Sequence, residues 1–467
     1  MSNSPQSELS HEDSARRSWP RRMLNRMEVD RAVFFAIAQR GWQFIAGPIT
    51  LVLIAKYFSN DQQGYYYTFW GVVALQMFFE LALPQTIITT ASHQWQLLKL
   101  TDSRRIEGDA DAMARLNHLV SISVLVFSVT GALFVLSVSF FGLWFFSQET
   151  ASEKLNWRAP WVTLMLLSGM TFLSTPLLSV LEGCNRVTDI YRLQLIRSVI
   201  GNVAVWVAIP LGCGLWVPAI ATLVRLICEL YMIAFKYGVF FVSMRRPLSD
   251  AKLDWRKEMW PFQSRVLLKG LTAYLNFDVM SPIIFNYHGA AAAGQLGMTV
   301  QILGALRAAC SSWVRVRYAQ MGILVASGDY RELDRVFFRV AKIGAWVLFV
   351  SGAAYVLFIL ILNFMQSHYA SRLMAPGETV VLLMGLQASL LVEFIWTYIH
   401  SHRVSPHLVL SMLGSLLSGL LIWWWGAFFG NMGVTLAYFL MQAALYLPLS
   451  IWAWRHFCRQ RAVSVAL

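Results

Sequence analysis

The sequence predicts an all-α, polytopic membrane protein with about twelve transmembrane helices in two parallel six-helix repeats. Of the 467 residues 57% are hydrophobic and only 13% are charged, against about 25% charged in a soluble domain. Apolar runs long enough to cross roughly 30 Å of hydrocarbon recur from near residue 33 to near residue 454. Lipid offers no water to an unpaired peptide group, so a spanning run is a helix or a strand of a closed barrel. The ten-residue alternation of barrel strands does not occur in the sequence.

In chain order, a basic cytoplasmic arm (1–32) leads into a first six-helix lobe (33–242). Its apolar runs fall at 33–55, 64–90, 117–146, 160–181, 190–211 and 214–242. A polar cytoplasmic linker (243–262) separates it from a second lobe (263–454), with runs at 263–286, 293–318, 341–364, 376–399, 406–429 and 431–454, and a short cytoplasmic tail (455–467) follows. With the N-terminus placed inside, 30 of the 38 Lys and Arg fall on the inner side, Arg186, Arg192 and Arg197 among them. Four fall outside (Lys56, Lys154, Arg158, Arg372) and four within helices. That bias predicts both termini in the cytoplasm. It also accounts for the net charge of +13 through contact with anionic lipid, so no nucleic-acid partner is expected.

Several function classes are excluded at this stage. The arm before the first run is not followed by a short apolar region and cleavage site, so no cleavable signal peptide is expected. Five scattered cysteines form no disulfide or metal framework. His400, His402 and His407 share one short inner loop and read as interfacial residues, so no metal is expected. The sequence contains no Walker A loop, no H-E-x-x-H and no G-x-S-x-G, and its loops are too short for a catalytic domain. A non-enzyme without cofactors is therefore expected. The aromatic runs, Tyr65 to Tyr67 and Trp423 to Trp425, are assigned to the interfacial belts, with glycan stacking as the sharper alternative.

The halves carry a repeat. Arg40-Gly41, then KYFSNDQQG ending at Gly64, is matched by Lys269-Gly270, then NYHGAAAAG ending at Gly294. Six helices separate the copies, so they share one orientation, as in other duplicated transporters. These residues, with LQMFFELALPQTIITTASHQWQ and GDYRELDRVFFR, resemble the polysaccharide transporter branch of the multidrug/oligosaccharidyl-lipid/polysaccharide exporter (MOP) superfamily, which includes O-antigen flippases. The resemblance implies two six-helix lobes around a cavity that opens alternately to each side. It implies a cargo of polyprenyl-pyrophosphate-linked oligosaccharide (an O-antigen, capsule or exopolysaccharide unit), membrane lipid and polysaccharide assembly proteins as partners, and a bacterial inner membrane as location.

Candidate site residues follow from the cost of a charge facing lipid, about 2.5 to 3.5 kcal/mol even on the insertion scale. Arg40, Arg265, Lys269, Arg307 and Arg225 are expected to face a wet interior and bind pyrophosphate, with Arg265 close enough to the interface to snorkel. Glu80, Asp278 and Glu393 are candidates for coupling to an ion gradient. The competing structural expectation is pairing, since Glu80, Asp278, Glu229 and Glu393 match Arg40, Arg225, Lys269 and Arg307 in number, with Glu80 at the depth of Arg40. Pro48 and Pro282 predict bendable points in helices 1 and 7. The alternative function is a cation-coupled multidrug exporter, which would use the acids and aromatics.

Overall fold

The structure is a computed structural model that describes residues 31–80, 82–101, 104–149, 155–244, 253, 263, 274–402 and 408–466. Backbone groups withdrawn from water pair within their own segment, and helices carry nearly all of these residues. The first half contains α1 (Arg31–Tyr57), α2 (Asn60–Val73), α3 (Gln76–Glu80), α4 (Leu83–Trp95), α5 (Ala110–Ser147), α6 (Arg158–Gly183), α7 (Val187–Ala208), α8 (Val217–Tyr231) and α9 (Gly238–Met244). The second contains α10 (Met280–Ser327), α11 (Tyr330–Phe364), α12 (Pro376–Ser401), α13 (Leu408–Leu440) and α14 (Leu447–Ala466). Between α4 and α5 the expected polar segment adds one small antiparallel hairpin, β1 (Leu98–Leu100) and β2 (Ile106–Gly108).

Among the described residues seven stretches are long and apolar enough to count as spans by themselves, and two of these are hairpins. At Gly289, φ 85° and ψ 172° break α10, a conformation open to a residue without Cβ. The guanidinium of Arg307 lies 6.0 Å from the Phe277 ring, whereas an unbroken helix would separate them by about 45 Å. Gly430 breaks α13 with φ 61°, and Ser415 meets the Tyr446 hydroxyl at 3.1 Å across that turn. The bent run α2 to α4 adds one leg. The two charged helices α1 and α7 add two more, so the described helices make twelve legs in the expected order.

The second leg departs from the single helix expected at 64–90. It breaks before Ala82, which has φ 55°, two residues ahead of Pro84. Proline removes the N–H that would reach four residues back, so the carbonyl of Glu80 loses its helical donor. The same arithmetic places Asp278 four residues before Pro282. There Asp278 N and Val279 N both donate to the Tyr274 carbonyl, at 3.1 and 3.3 Å, and regular helix resumes at Met280.

The halves meet through α2 and α10 at the end that the charge bias assigns to the outside. Ser59 and Gln62 form a capping box that starts α2. Five residues on, Gly64 lies so close to α10 that a Cβ would overlap the Ala290 carbonyl. Its repeat mate Gly294 packs against Asn60, with a built Cβ 3.3 Å from that carbonyl and 2.9 Å from Gly64 N. Asn60 and Ala290 are themselves mates in the repeat, so each copy makes the other's contact, as a two-fold relation requires. Phe285 enters a ring cluster of the first half, 4.9 Å from Tyr65 and 5.2 Å from Phe146.

Candidate functional site

On the side of this interface that the charge bias assigns to the inside lies a cavity of about 500 Å³, lined by Tyr66, Tyr67 and Trp70 of α2 and by Phe277, Asp278, Ser281 and Gln301. The triplet Tyr65 to Tyr67 is thus not a lipid belt. Its members are 0%, 9% and 8% exposed, because α2 is the helix that faces the other half. Trp423 and Trp424 are 51% and 61% exposed near the Gly430 turn. The proline break brings Asp278 to the cavity wall, where its exposed carboxylate makes no hydrogen bond or ion pair with a described residue. Glu80, at the other break, accepts from Gln76 Nε2 at 2.6 Å.

Each half carries a charged cluster. In the first, the Glu229 side chain is 1% exposed and accepts from Arg197 Nη1 at 2.5 Å and Arg225 Nε at 2.8 Å, and Ser174 Oγ donates to it at 2.5 Å. Three helices, α6, α7 and α8, therefore converge on one carboxylate. In the second, Arg307 Nη1 donates to Glu393 Oε2 at 2.8 Å with both side chains 25% exposed. Arg307 follows Val300, another wall residue, by seven residues. Two helical turns put it on the same face about 10 Å farther inward.

The expected site residues separate into groups. Arg225, Arg307 and Glu393 are ion-paired; Glu80 bonds Gln76, with Arg225 near enough to act on it electrostatically. The expected Arg40 to Glu80 pair does not form: Arg40 is exposed and without an ionic partner among the described residues. It lies in the first half of α1 and precedes Leu51 by eleven residues, within about 20° of the same face. Leu51 faces Met298 and Ile302 of the other half across a second cavity. Arg265 and Lys269 lie outside the described residues. Sequence reasoning missed Arg197 by counting it among the inner-loop cations, although it lies ten residues inside α7. The signal was there: an arginine flanked by Leu195-Ile196 and Val199-Ile200 is a charge inside an apolar run.

These features define an all-helical membrane protein of two halves closed at one end around a polar cavity. No family model and no curated protein matches the chain. Solved structures do match in shape. An inward-facing multidrug resistance MATE family transporter of the MOP superfamily aligns with TM-score 0.58 and 14% identity, over 88% of this chain and 99% of that one. Lipid II flippase MurJ, in an inward closed conformation, aligns with TM-score 0.58 and 16% identity, over 90% and 87%. The MATE multidrug transporter DinF-BH, solved as a complex, gives 0.58 and 13%, over 91% and 95%. Likeness at such identities establishes the fold that this chain shares with these transporters.

Proposed function

We propose that the protein is an alternating-access membrane transporter that flips a polyprenyl-pyrophosphate-linked oligosaccharide from the inner to the outer leaflet of a bacterial inner membrane. The observation that supports this most is a pair of cations at matched depth in the two halves. Arg40 is seventeen residues from the outer end of α1 and Arg307 eighteen from Gly289, about 25 and 27 Å along their helices. Arg40 has no carboxylate partner among the described residues, and Arg307 keeps donors beyond the one spent on Glu393. Two guanidiniums at one level suit a pyrophosphate, whose oxygens accept charge-assisted bonds while the prenyl chain stays in lipid. Arg225, Arg265 and Lys269 would extend this basic path, and Glu80, Asp278 or Glu393 would couple it to an ion gradient.

A second reading has its own observation. Asp278 lies among Tyr66, Tyr67, Trp70 and Phe277 in the cavity wall, a setting that suits an organic cation. It would make the protein a cation-coupled drug exporter, in line with the multidrug transporters among the similar structures. Deleting the gene and complementing with wild type, Arg40→Ala or Asp278→Asn separates the readings. Under the flippase reading, lipid-linked oligosaccharide accumulates on the inner leaflet, wild type clears it, and Arg40→Ala clears it at least tenfold more slowly, one charge-assisted contact being worth about 1.5 to 3 kcal/mol. Unchanged lipid-linked sugar together with dye efflux lost in Asp278→Asn would establish the exporter instead.

A further inference from the structure

Arg197, Arg225 and Arg307 each meet a carboxylate. Arg372, on the short helix His368–Arg372 between α11 and α12, is 5% exposed and meets none among the described residues. Its Nη2 donates to the Phe58 carbonyl and stands 3.5 Å from Nε2 of His368. Its own carbonyl accepts from Gln63 Nε2 at 2.9 Å, and the same amide also donates to Gly294 O at 2.9 Å. Arg372 thus ties the second half to the first at the outer end. Yet its Nε and Nη1 are buried with no hydrogen-bond partner among the described residues, as are the side-chain oxygens of Asn60 and Gln63 on the facing helix.

Buried polar atoms without partners are rare, and an uncompensated charge is the costliest kind. Such atoms gathered on one contact surface would gain partners if the two halves parted. Arg372 also lines a cavity of about 320 Å³ between Leu51 and Ala55 of α1, Met298 and Ile302 of α10 and Phe358 and Leu362 of α11. Those six walls are apolar. A guanidinium beside an apolar groove is complementary to an amphiphile with an anionic head and a long apolar chain, and the guanidinium fork matches phosphate oxygens in pairs.

We propose that Arg372 is a latent anion site, sealed while the halves are closed at the outer end and presented, when they part, to the phosphate head of a polyprenyl lipid whose chain lies in the adjoining groove. The inference rests on the flippase reading and adds an exit-side contact to it. The head group binds only the parted state, so it shifts the population toward opening by its differential affinity.

Hydrogen–deuterium exchange on the full chain in lipid nanodiscs, followed at residues 58–64, 290–297 and 368–374, tests this with three probes: undecaprenyl pyrophosphate, undecaprenol and inorganic pyrophosphate. The expected result is exchange about tenfold faster with undecaprenyl pyrophosphate than without it and unchanged with undecaprenol, with inorganic pyrophosphate giving a smaller gain. Arg372→Gln should lose the acceleration, measured against its own lipid-free rate, Arg372→Lys should keep part of it, and Ile302→Trp, which fills the groove, should lose it with Arg372 intact. Equal acceleration in wild type and Arg372→Gln, or acceleration by undecaprenol, overturns the proposal. No acceleration in a wild-type chain that co-purifies with undecaprenyl pyrophosphate overturns it and leaves the flippase reading standing, whereas a chain that does not bind that lipid at all overturns both.

Discussion

The two halves share a repeat but not a charge arrangement. In the first, one carboxylate, Glu229, is almost completely buried and shared by two arginines and a serine from three helices. In the second, Arg307 pairs with Glu393, each side chain a quarter exposed. Both place cations inside a membrane protein, yet the consequences differ. A carboxylate withdrawn from water holds its partners in place because removing it strands two charges, whereas a pair that water reaches can exchange a partner for a ligand. The first cluster is anchored on a sealed carboxylate, and the second is partly open on both of its partners.

That contrast can be broken most severely at Glu229. Glu229→Gln leaves Arg197 and Arg225 without their counter-charge, and a broken buried pair costs about 3 to 5 kcal/mol. The expected outcome is a large drop in melting temperature in detergent, with poor recovery of folded protein; a stable Glu229→Gln chain would mean that the cluster is hydrated. Next in size is the interface that joins the halves. Gly64→Ala forces a methyl group against the Ala290 carbonyl, overpacking worth about 1 to 3 kcal/mol. It should appear as faster hydrogen exchange near residues 60 and 290, with Gly294→Ala giving the smaller change because its neighbours stand at 2.9 Å and beyond. Glu393→Gln should cost less than Glu229→Gln, since its carboxylate is a quarter exposed where that of Glu229 is sealed, while altering transport by freeing Arg307. If it destabilised the chain as much as Glu229→Gln, the distinction between the halves would collapse. Smallest is Asp278→Asn, whose carboxylate has no described partner: melting should move within about 0.5 kcal/mol equivalent, and any effect should be on transport rather than on folding.

Much of the architecture is legible along the chain. Twelve legs, their order and most of their ends follow from apolar run length, because lipid imposes that length on each helix separately. The repeat is legible too, through Gly64 and Gly294, and their contact shows what the glycines do: a two-fold axis passes where backbones approach too closely for a side chain. The breaks at Glu80 and Asp278 are partly legible. Pro282 reads as a bendable point, while Pro84, which acts identically on the residue four before it, sits unmarked inside a run that looks continuous. The belt assignment of Tyr65 to Tyr67 fails because aromatic residues suit a membrane interface and a protein interface equally well. Only the packing of α2 against α10 distinguishes them.

The sequence by itself determined that this chain crosses a membrane many times, as helices, in two similar halves, because backbone satisfaction in hydrocarbon and the cost of lipid-facing charge act residue by residue. Which charge meets which was left to the tertiary structure. Arg40 could not be assigned away from Glu80, nor Arg197 toward Glu229, and nothing local marked Arg372 as a cation sealed between the halves with no carboxylate among the described residues. Pairing depends on the rotation of each helix and on side chains from legs far apart in sequence, which are set only when the whole bundle packs.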